Sequence, residues 1–441
     1  MTTDRTSRVS SLPTLRRFAV AAAISTCTLV IAACGAGSNA APAASQLAAR
    51  TSASAIAQSS PLGAETRVNT FTAGDQENPA TAMDASGNYV VVWDSVGQDG
   101  SLDGIYGQRF SSTGLPVGSE FQVNTFTPNR QFSPAVTMLP NGNFVVVWES
   151  DNEKGDTSIT IEARIFAADG SPLTGELQLN KSHYFPTTAG VSVASDANGN
   201  FVVGWTEQNR GAGVGFDLYW VKACVYNSSG SPLFSPVVVA FGDNAQLRVP
   251  VVAMNATGDW AIAWVQTDNS IYARHYKPNA KAQGGAFRVD VANASLPAVD
   301  RPAIAMDGAG NFTIAWEAFH ADQSTAGIQV QRFNAAGTAQ GAAFVAGSGA
   351  GGNLQLNPSI GMDTNGDFVI AAHSDGIYAQ RYAAGGTAVG SEFRVNSSTT
   401  HNTQLFASVG MNGTGNFVIA WQNFGQDGSG RGVYAQLYTG P

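Results

Sequence analysis

Acidic side chains recur at the same point of a repeated pattern in this 441-residue chain. Each lies at or just after the end of a Val-rich run, most of which finish in tryptophan, as in Trp93-Asp94 and Trp148-Glu149. If such runs are strands that converge on an axis, they place a partial ring of carboxylates there. Glycoside hydrolysis needs two carboxylates a set distance apart, so the ring is a candidate site for a polysaccharide-active enzyme. Its members are Asp94, Glu149, Glu207 and Glu317, and His373 and Gln422 follow the runs of two further repeats.

Other signs of catalysis are scarce in the sequence. No two repeats form a recognisable catalytic pair, and the nucleophile-elbow serine motif is missing. Cys224 stands where other repeats have Gln or Arg, and we expect it to be a packed thiol rather than a nucleophile. The five histidines are scattered without metal-ligand spacing: His183, His275, His320, His373 and His401. We therefore assign no catalytic residue and expect a chain that binds rather than cleaves.

Polar loops after the Val-rich runs could bind a hard cation. Asp94, Asp99 and Asp103 follow the first run, and calcium takes several oxygen ligands of this kind. Their spacing matches no EF-hand, and the alternative is that they are solvated turn residues that cap strand ends. Calcium is the one cofactor that the sequence suggests.

Aromatic and polar residues concentrate in the loops around the third repeat. Aromatic faces beside Asn, Asp and Arg suit sugars or peptides, which offer apolar faces together with hydroxyl or amide groups. The alternative is that Tyr219 and Trp220 extend a strand and pack inside. The candidate ligand-binding residues are His183, Tyr184, Phe185, Arg210, Phe216, Asp217, Tyr219 and Trp220.

Seven copies of one pattern fill the chain after residue 63. Each copy has a Gly-Asn/Asp-aromatic sequence at its centre, as in Gly87-Asn88-Tyr89, and successive copies are about 50–60 residues apart, a period typical of propellers. Each copy contains four strand-like runs, which we name A to D, except that the seventh lacks run D. An unattached run D, Glu65–Asn69, precedes the first copy. The sequence thus predicts an all-β protein over residues 64–441: a seven-bladed β-propeller of four-stranded antiparallel blades, closed by an N-terminal strand.

One string carries a family resemblance. Trp93-Asp94-Ser95, followed by Gly104-Ile105-Tyr106-Gly107-Gln108-Arg109-Phe110 and then Glu120–Asn124, resembles a tandem repeat common in large secreted bacterial proteins, including adhesin-like and calcium-binding ones. The resemblance covers residues 64–441 and implies a secreted propeller. It implies no reaction, so function has to be argued from the loops.

The N-terminus has the features of an export signal. Four arginines precede an uncharged stretch, Phe18–Ala33, which ends at a small-residue cleavage site. Val30–Gly35 resembles the bacterial lipobox, which implies cleavage after residue 33 and acylation of Cys34. Gly35 in place of Asp suggests, by resemblance to Gram-negative lipoproteins, sorting to the outer membrane. Residues 34–63 are poor in large apolar side chains and form the expected flexible tether.

The net charge and the expected export of the chain limit the classes of partner that it could bind. The formal net charge of −9 argues against a nucleic-acid-binding role, which needs a basic surface. The expected partners are an extracellular glycan or protein, together with the lipid bilayer that would hold the acylated Cys34. The sequence therefore predicts a membrane-anchored exported propeller that acts as a non-catalytic recognition or scaffold module. The alternative is a glycosidase or lyase with its site at the propeller axis.

Overall fold

The structure is a computed structural model that describes residues 60–151, 159–180, 190–209, 218–243, 247–290, 298–320, 325–347, 356–399 and 403–440. The expected signal segment, Cys34 and most of the expected tether lie outside these residues. No helix in the described part is long and apolar enough to cross a membrane.

Blades 1 to 3 each contain four consecutive strands. Blade 1 comprises β2 (Gln76–Met83), β3 (Tyr89–Val96), β4 (Asp103–Phe110) and β5 (Pro116–Gln122). Blade 2 comprises β6 (Gln131–Met138), β7 (Phe144–Asp151), β8 (Ile159–Phe166) and β9 (Leu177–Gln178). Blade 3 comprises β10 (Ser192–Ser195), β11 (Phe201–Asn209), β12 (Leu218–Tyr226) and β13 (Val237–Asp243).

Blades 4 to 6 repeat this order, and blade 7 takes one strand from the N-terminal end of the described chain. Blade 4 comprises β14 (Arg248–Met254), β15 (Trp260–Val265), β16 (Ile271–Tyr276) and β17 (Phe287–Arg288). Blade 5 comprises β18 (Ala298–Met306), β19 (Phe312–Phe319), β20 (Thr325–Phe333) and β21 (Phe344–Val345). Blade 6 comprises β22 (Leu356–Met362), β23 (Phe368–His373), β24 (Ile377–Tyr382) and β25 (Ala388–Arg394). Blade 7 comprises β26 (Gln404–Met411), β27 (Phe417–Phe424), β28 (Arg431–Tyr438) and β1 (Thr66–Arg67).

The predicted fold is confirmed: an all-β, seven-bladed propeller with antiparallel blades. The first strand of each blade contacts the first strands of both neighbouring blades, which closes a ring around the axis. Run D from the N-terminal side completes blade 7, where Thr66 pairs with Ala435 and Arg67 pairs with Tyr434. The pairing continues into the segment expected to be tether, because Pro61 bridges to Tyr438. The closure leaves blade 7 with the same four strands as the others.

The aromatic residues that begin run B and end run C pack on each other in every blade. The ring centroids of Phe144 and Phe166, for example, are 5.1 Å apart, and those of Trp260 and Tyr276 are 4.0 Å apart. In four blades a phenylalanine of the last strand then packs against the aromatic pair of the following blade, as Phe121 does against Phe166 at 5.5 Å. These rings and the buried tryptophans pack between the blades together with aliphatic side chains.

Run D contributes polar contacts as well as packing. The Asn124 side chain accepts a hydrogen bond from the Ile105 backbone N–H at 2.7 Å, and Asn69 does the same for Val433 at 2.8 Å. Glu65 and Glu120, at the other end of the run, accept from Ser397 and Thr70 in the loops that enter their own blades. The repeated Glu and Asn of this run therefore hold loops and strand ends in place.

Candidate functional site

The axis opens into a mouth lined by one residue from each blade, at a corresponding position in run A. The mouth encloses about 270 Å³. Six of the seven residues have φ between 47° and 53° and the seventh, Gly190, has φ of 79°. In six blades the pairing of run A with run B slips at this point, which turns the residue toward the axis. The seven residues, called the axial ring below, are Asn78, Ser133, Gly190, Val249, Arg301, Asn357 and Phe406.

The backbone of the axial ring is strained. A left-handed conformation at a non-glycine residue costs on the order of 1–3 kcal/mol and persists only where the surroundings enforce it. Val249 is β-branched, which makes its φ of 51° especially unfavourable. Such strain is concentrated at functional sites, and here it repeats around an opening. The axial ring is therefore a candidate binding site.

Three of the expected acidic residues, Asp94, Glu149 and Glu317, lie directly behind the axial ring and are buried. The Gly190 backbone N–H donates to Glu149, and the Asn357 backbone N–H donates to Glu317 Oε1. Gln422 accepts in the same way from Asn78 at 2.8 Å. In each case the acceptor belongs to one blade and the donor to the next. These side chains therefore join neighbouring blades at the axis.

Burial shifts the pKa values of the titratable side chains behind the axial ring. Removal from water raises the pKa of Asp94 to about 7 and that of Glu149 to about 8, and it also raises the pKa of Glu317. Asp94 Oδ1 and Glu149 Oε2 have no hydrogen-bond partner. Burial, with the nearby Arg301 guanidinium as a smaller cause, lowers the pKa of His373 to about 4. At mildly acidic pH the environment thus favours neutral forms of Asp94, Glu149 and His373.

Arg301 is the exposed cation of the mouth. Its side chain is 50% exposed, its Nε lies 4.0 Å from Glu317 Oε1, and its guanidinium carbon lies 5.6 Å from the Phe406 ring centroid. His373 Nδ1 is 3.3 Å from Asn357 Nδ2, and its ring centroid is 6.3 Å from that of Phe406. A planar donor group beside an aromatic ring and amides can hold hydroxyl or carboxylate oxygens while the ring covers an apolar face.

Glu207, the fourth member of the expected ring, lies elsewhere. It is the second residue after Trp205, whereas Asp94, Glu149 and Glu317 are the first after their tryptophans. Successive side chains of a strand point to opposite faces, so Glu207 points toward blade 2 rather than blade 4. There it accepts from Trp205 Nε1 at 2.8 Å and pairs with Lys222. The structure thus corrects the expected placement of Glu207 at the axis.

The expected calcium ligands of blade 1 are engaged with protein groups. Asp103 Oδ2 lies 2.6 Å from Arg130 Nε, and Asp99 Oδ1 accepts from the Ser101 N–H at 3.0 Å. Asp94 accepts from Asn78 Nδ2 at 3.1 Å. Among the described residues no group of three or more His, Cys, Asp or Glu side chains is placed to hold a metal ion. Calcium binding by these loops stays a prediction, and the geometry favours the interpretation as turn and strand-end residues.

Two of the candidate ligand-binding residues of blade 3, Tyr219 and Trp220, lie among the described residues. Tyr219 is buried, and its hydroxyl accepts from Gln208 Nε2 at 2.8 Å, which agrees with the alternative interpretation as an inward-packed strand residue. The Trp220 ring lies 5.7 Å from that of Phe241, with Lys222 Nζ 5.8 Å from its centroid. The other candidates lie outside the described residues: His183, Tyr184, Phe185, Arg210, Phe216 and Asp217.

The axial ring was not predicted from the sequence. A signal for it exists, because proline follows the ring residue in five blades, as in Asn78-Pro79 and Arg301-Pro302. Proline restricts the residue before it, so a recurrent residue-proline pair early in run A marks an unusual backbone. Nothing in the pattern of run A indicates that these residues lie at the opening rather than within the strand.

Comparisons with known proteins bear on the fold. No protein-family model matches this chain, and no curated protein matches it. Among solved structures, a protein of unknown function from Dyadobacter fermentans is similar with a TM-score of 0.52 and 9% identity, over 86% of this chain and 98% of that one. An α-L-arabinofuranosidase from Fusarium graminearum has a TM-score of 0.46 and 10% identity, over 85% and 98% of the two chains. At these identities the likeness concerns the fold alone.

Proposed function

We propose that this chain is an exported, membrane-anchored recognition module that binds an extracellular glycan at the axial mouth and leaves it intact. The observation that supports the proposal is that the carboxylates at the axis are buried, whereas Arg301 and Phe406 line the opening. The carboxylates that could do chemistry are at most 4% exposed, and Glu149 and Glu317 accept backbone hydrogen bonds from the following blade. Arg301 and Phe406 instead offer a donor group and an aromatic ring to the opening.

This arrangement favours binding over hydrolysis. A glycosidase needs two carboxyl groups that both reach the scissile bond, one of them to protonate the leaving oxygen. Glu149 and Glu317 instead accept from the following blade, and Asp94 accepts from Asn78 of its own blade, so a substrate would have to break those contacts first. A non-catalytic role agrees with this geometry.

The size and chemistry of the mouth favour the end of a glycan. Its volume of about 270 Å³ is near the lower limit of small-molecule sites, so a terminal sugar fits better than a protein surface. Arg301 suits hydroxyl or carboxylate oxygens, and Phe406 suits the apolar face of a sugar ring.

Immobilised polysaccharides test the proposal. The purified protein is applied to a panel of neutral and uronate-containing polysaccharides, with calcium and then with chelator, and both retention and released reducing ends are measured. We expect retention without release, and at least tenfold weaker retention for Arg301→Gln. Arg274→Gln, on an outer strand, is the matched control and should leave retention unchanged.

Each outcome of the panel has a meaning. Retention that is lost with chelator would add a calcium site to the proposal. Released fragments would make the alternative, a polysaccharide-active enzyme, the better interpretation. Retention on none of the polysaccharides would contradict glycan binding at the axial mouth.

The membrane anchor is tested separately. Cys34 would carry acyl chains after cleavage of residues 1–33, and two chains are enough for stable attachment where one is not. Metabolic labelling with a fatty-acid analogue should label the wild-type protein and not Cys34→Ser, and the variant should leave the membrane fraction. Equal labelling of both proteins would contradict acylation at Cys34.

A further inference from the structure

A large cavity lies between blades 2 and 3, away from the axial ring. It encloses about 920 Å³ and is lined by the last strand of blade 2 and by β11, β12 and the segment leading to β13. Leu177, Leu179, Tyr226 and Phe234 supply much of its apolar wall. Small-molecule sites have this size and character, with few polar groups on a mostly apolar wall.

Two departures from the repeat create the cavity. In four blades the last strand carries a phenylalanine, such as Phe121, that packs against the aromatic pair of the next blade. Blade 2 has Leu177 at this register, opposite Ala163 as Phe121 is opposite Gly107. Cys224 replaces the Gln or Arg of the other blades, and its Sγ lies 3.2 Å from the Phe234 carbonyl oxygen and 3.7 Å from that of Val225. Leu177 is smaller than the phenylalanine of four blades and Cys224 is smaller than the Gln or Arg of the others, and together they leave space between blades 2 and 3.

The polar side of the cavity is formed by Glu207 and Lys222 of blade 3, an ion pair that blade 5 lacks at the corresponding positions. Glu207 pairs with Lys222 and accepts from Trp205 Nε1, and its side chain is 2% exposed. Blade 5 has Ala318 and Gln329 at the corresponding places. An ion pair taken out of water gives little stability over apolar residues of similar size, so stability alone is a poor reason for it. Lys222 has three N–H donors, and its side chain is 21% exposed in the cavity wall.

We propose that this cavity binds a neutral, mainly apolar aromatic molecule that carries one hydrogen-bond acceptor, a hydroxyl or carbonyl oxygen, for Lys222. The charges disfavour an anion, because Glu207 balances Lys222 and Glu176 adds a negative charge to the lining, and a neutral acceptor needs only the N–H donors of Lys222. An aromatic body matches the walls formed by Trp205, Tyr226 and Phe234.

An aromatic surface adjoins the cavity on the same face of blade 3. Trp220 pairs with Glu207 across the strands and with Phe241 on the other side, so the three side chains share the face that carries Lys222. Phe241 is 54% exposed. Trp220 and Phe241 thereby extend the apolar surface from Lys222 toward solvent. The proposal does not depend on glycan binding at the axis.

Fluorescence titration of the full folded protein with Nile red tests the proposal, because this probe is neutral, aromatic and carries a carbonyl. We expect saturable binding of one probe per chain. Leu177→Phe, which introduces the residue that four other blades have at this register, should weaken binding at least tenfold and leave the melting temperature unchanged or higher. Phe393→Tyr, in blade 6, is the control and should bind like the wild-type protein. Absence of saturable binding, or equal binding by Leu177→Phe, would overturn the proposal.

A second comparison isolates the polar contact. The double variant Glu207→Gln, Lys222→Met removes both charges, and Gln can still accept from Trp205, as Gln266 does from Trp264 at 2.7 Å in blade 4. Affinity for Nile red should fall severalfold, while affinity for pyrene, which has no acceptor, should stay the same. A parallel fall for both probes would contradict the role given to Lys222. It would leave an apolar cavity that binds without a specific polar contact.

Discussion

Glu149 and Glu207 come from corresponding strands of neighbouring blades, yet they face opposite sides. Glu149, one residue after its tryptophan, faces the following blade, where the Gly190 backbone N–H donates to it. Glu207, two residues after its tryptophan, faces the preceding blade, where it pairs with Lys222 on a cavity wall. One residue of offset along a strand moves a carboxylate from the axis to the gap between blades. The two regions also differ in packing, since rings fill the gap between blades 1 and 2 and leave the next gap open.

The largest expected effect concerns the filled gap. Trp148 is 1% exposed and packs with Val92, Ile105 and other side chains between blades 1 and 2. Trp148→Ala should lower the free energy of unfolding by about 3–5 kcal/mol, measured by denaturant titration. Phe424→Ala, which removes a side chain that is 53% exposed, is the control with a much smaller expected loss. A cost near zero for Trp148→Ala would show that this gap is not tightly packed.

The next effect concerns the carboxylates behind the axial ring. Burial raises the pKa of Glu149 from 4.5 to about 8, so between these values the folded protein keeps a proton that the unfolded chain has lost. The stability should therefore fall as the pH rises through this window, by about 1.4 kcal/mol for each unit of pKa difference as an upper limit. Asp94, with its pKa raised to about 7, acts in the same direction.

Glu149→Gln tests this assignment. The variant keeps an acceptor for Gly190 and removes the titration, so its melting temperature should fall less between pH 5 and pH 9 than that of the wild-type protein. Asp169→Asn, at an exposed turn, should leave the pH profile unchanged. Identical profiles for Glu149→Gln and wild type would contradict a raised pKa at Glu149.

The smallest expected effect comes from a substitution that makes the gap between blades 1 and 2 resemble the gap between blades 2 and 3. Phe121→Leu places in blade 1 the residue that blade 2 has at this register, and removes the ring contact with Phe166. We expect a loss of about 1 kcal/mol in the free energy of unfolding, measured by denaturant titration. The variant should also gain weak Nile red binding. Unchanged stability would contradict a packing role for the Phe121 ring between blades 1 and 2.

Much of the fold was predictable because it is local and repeated. The continuous apolar run B, the alternation within run C with its terminal aromatic residue, and the turn between runs A and B all recur seven times. Closure followed from one missing and one extra run D, and the pairing of Thr66 with Ala435 confirms it. The sites were less predictable, because Glu207 was grouped with Glu149 by its distance from the end of a run. Counting from the tryptophan would have separated them.

The sequence alone determined that the chain forms seven four-stranded units and which side chains they bury, since both depend on short-range periodicity. Only the tertiary structure decided what the units create together. The left-handed residues of the axial ring meet around one opening because the blades converge on an axis. The cavity exists because Leu177 of one blade faces Cys224 and Tyr226 of the next, across a gap that separates residues about 50 positions apart in the chain. No local pattern encodes this pairing of Leu177 with Cys224, each smaller than its counterpart in most blades, and it arises only when the blades are brought side by side.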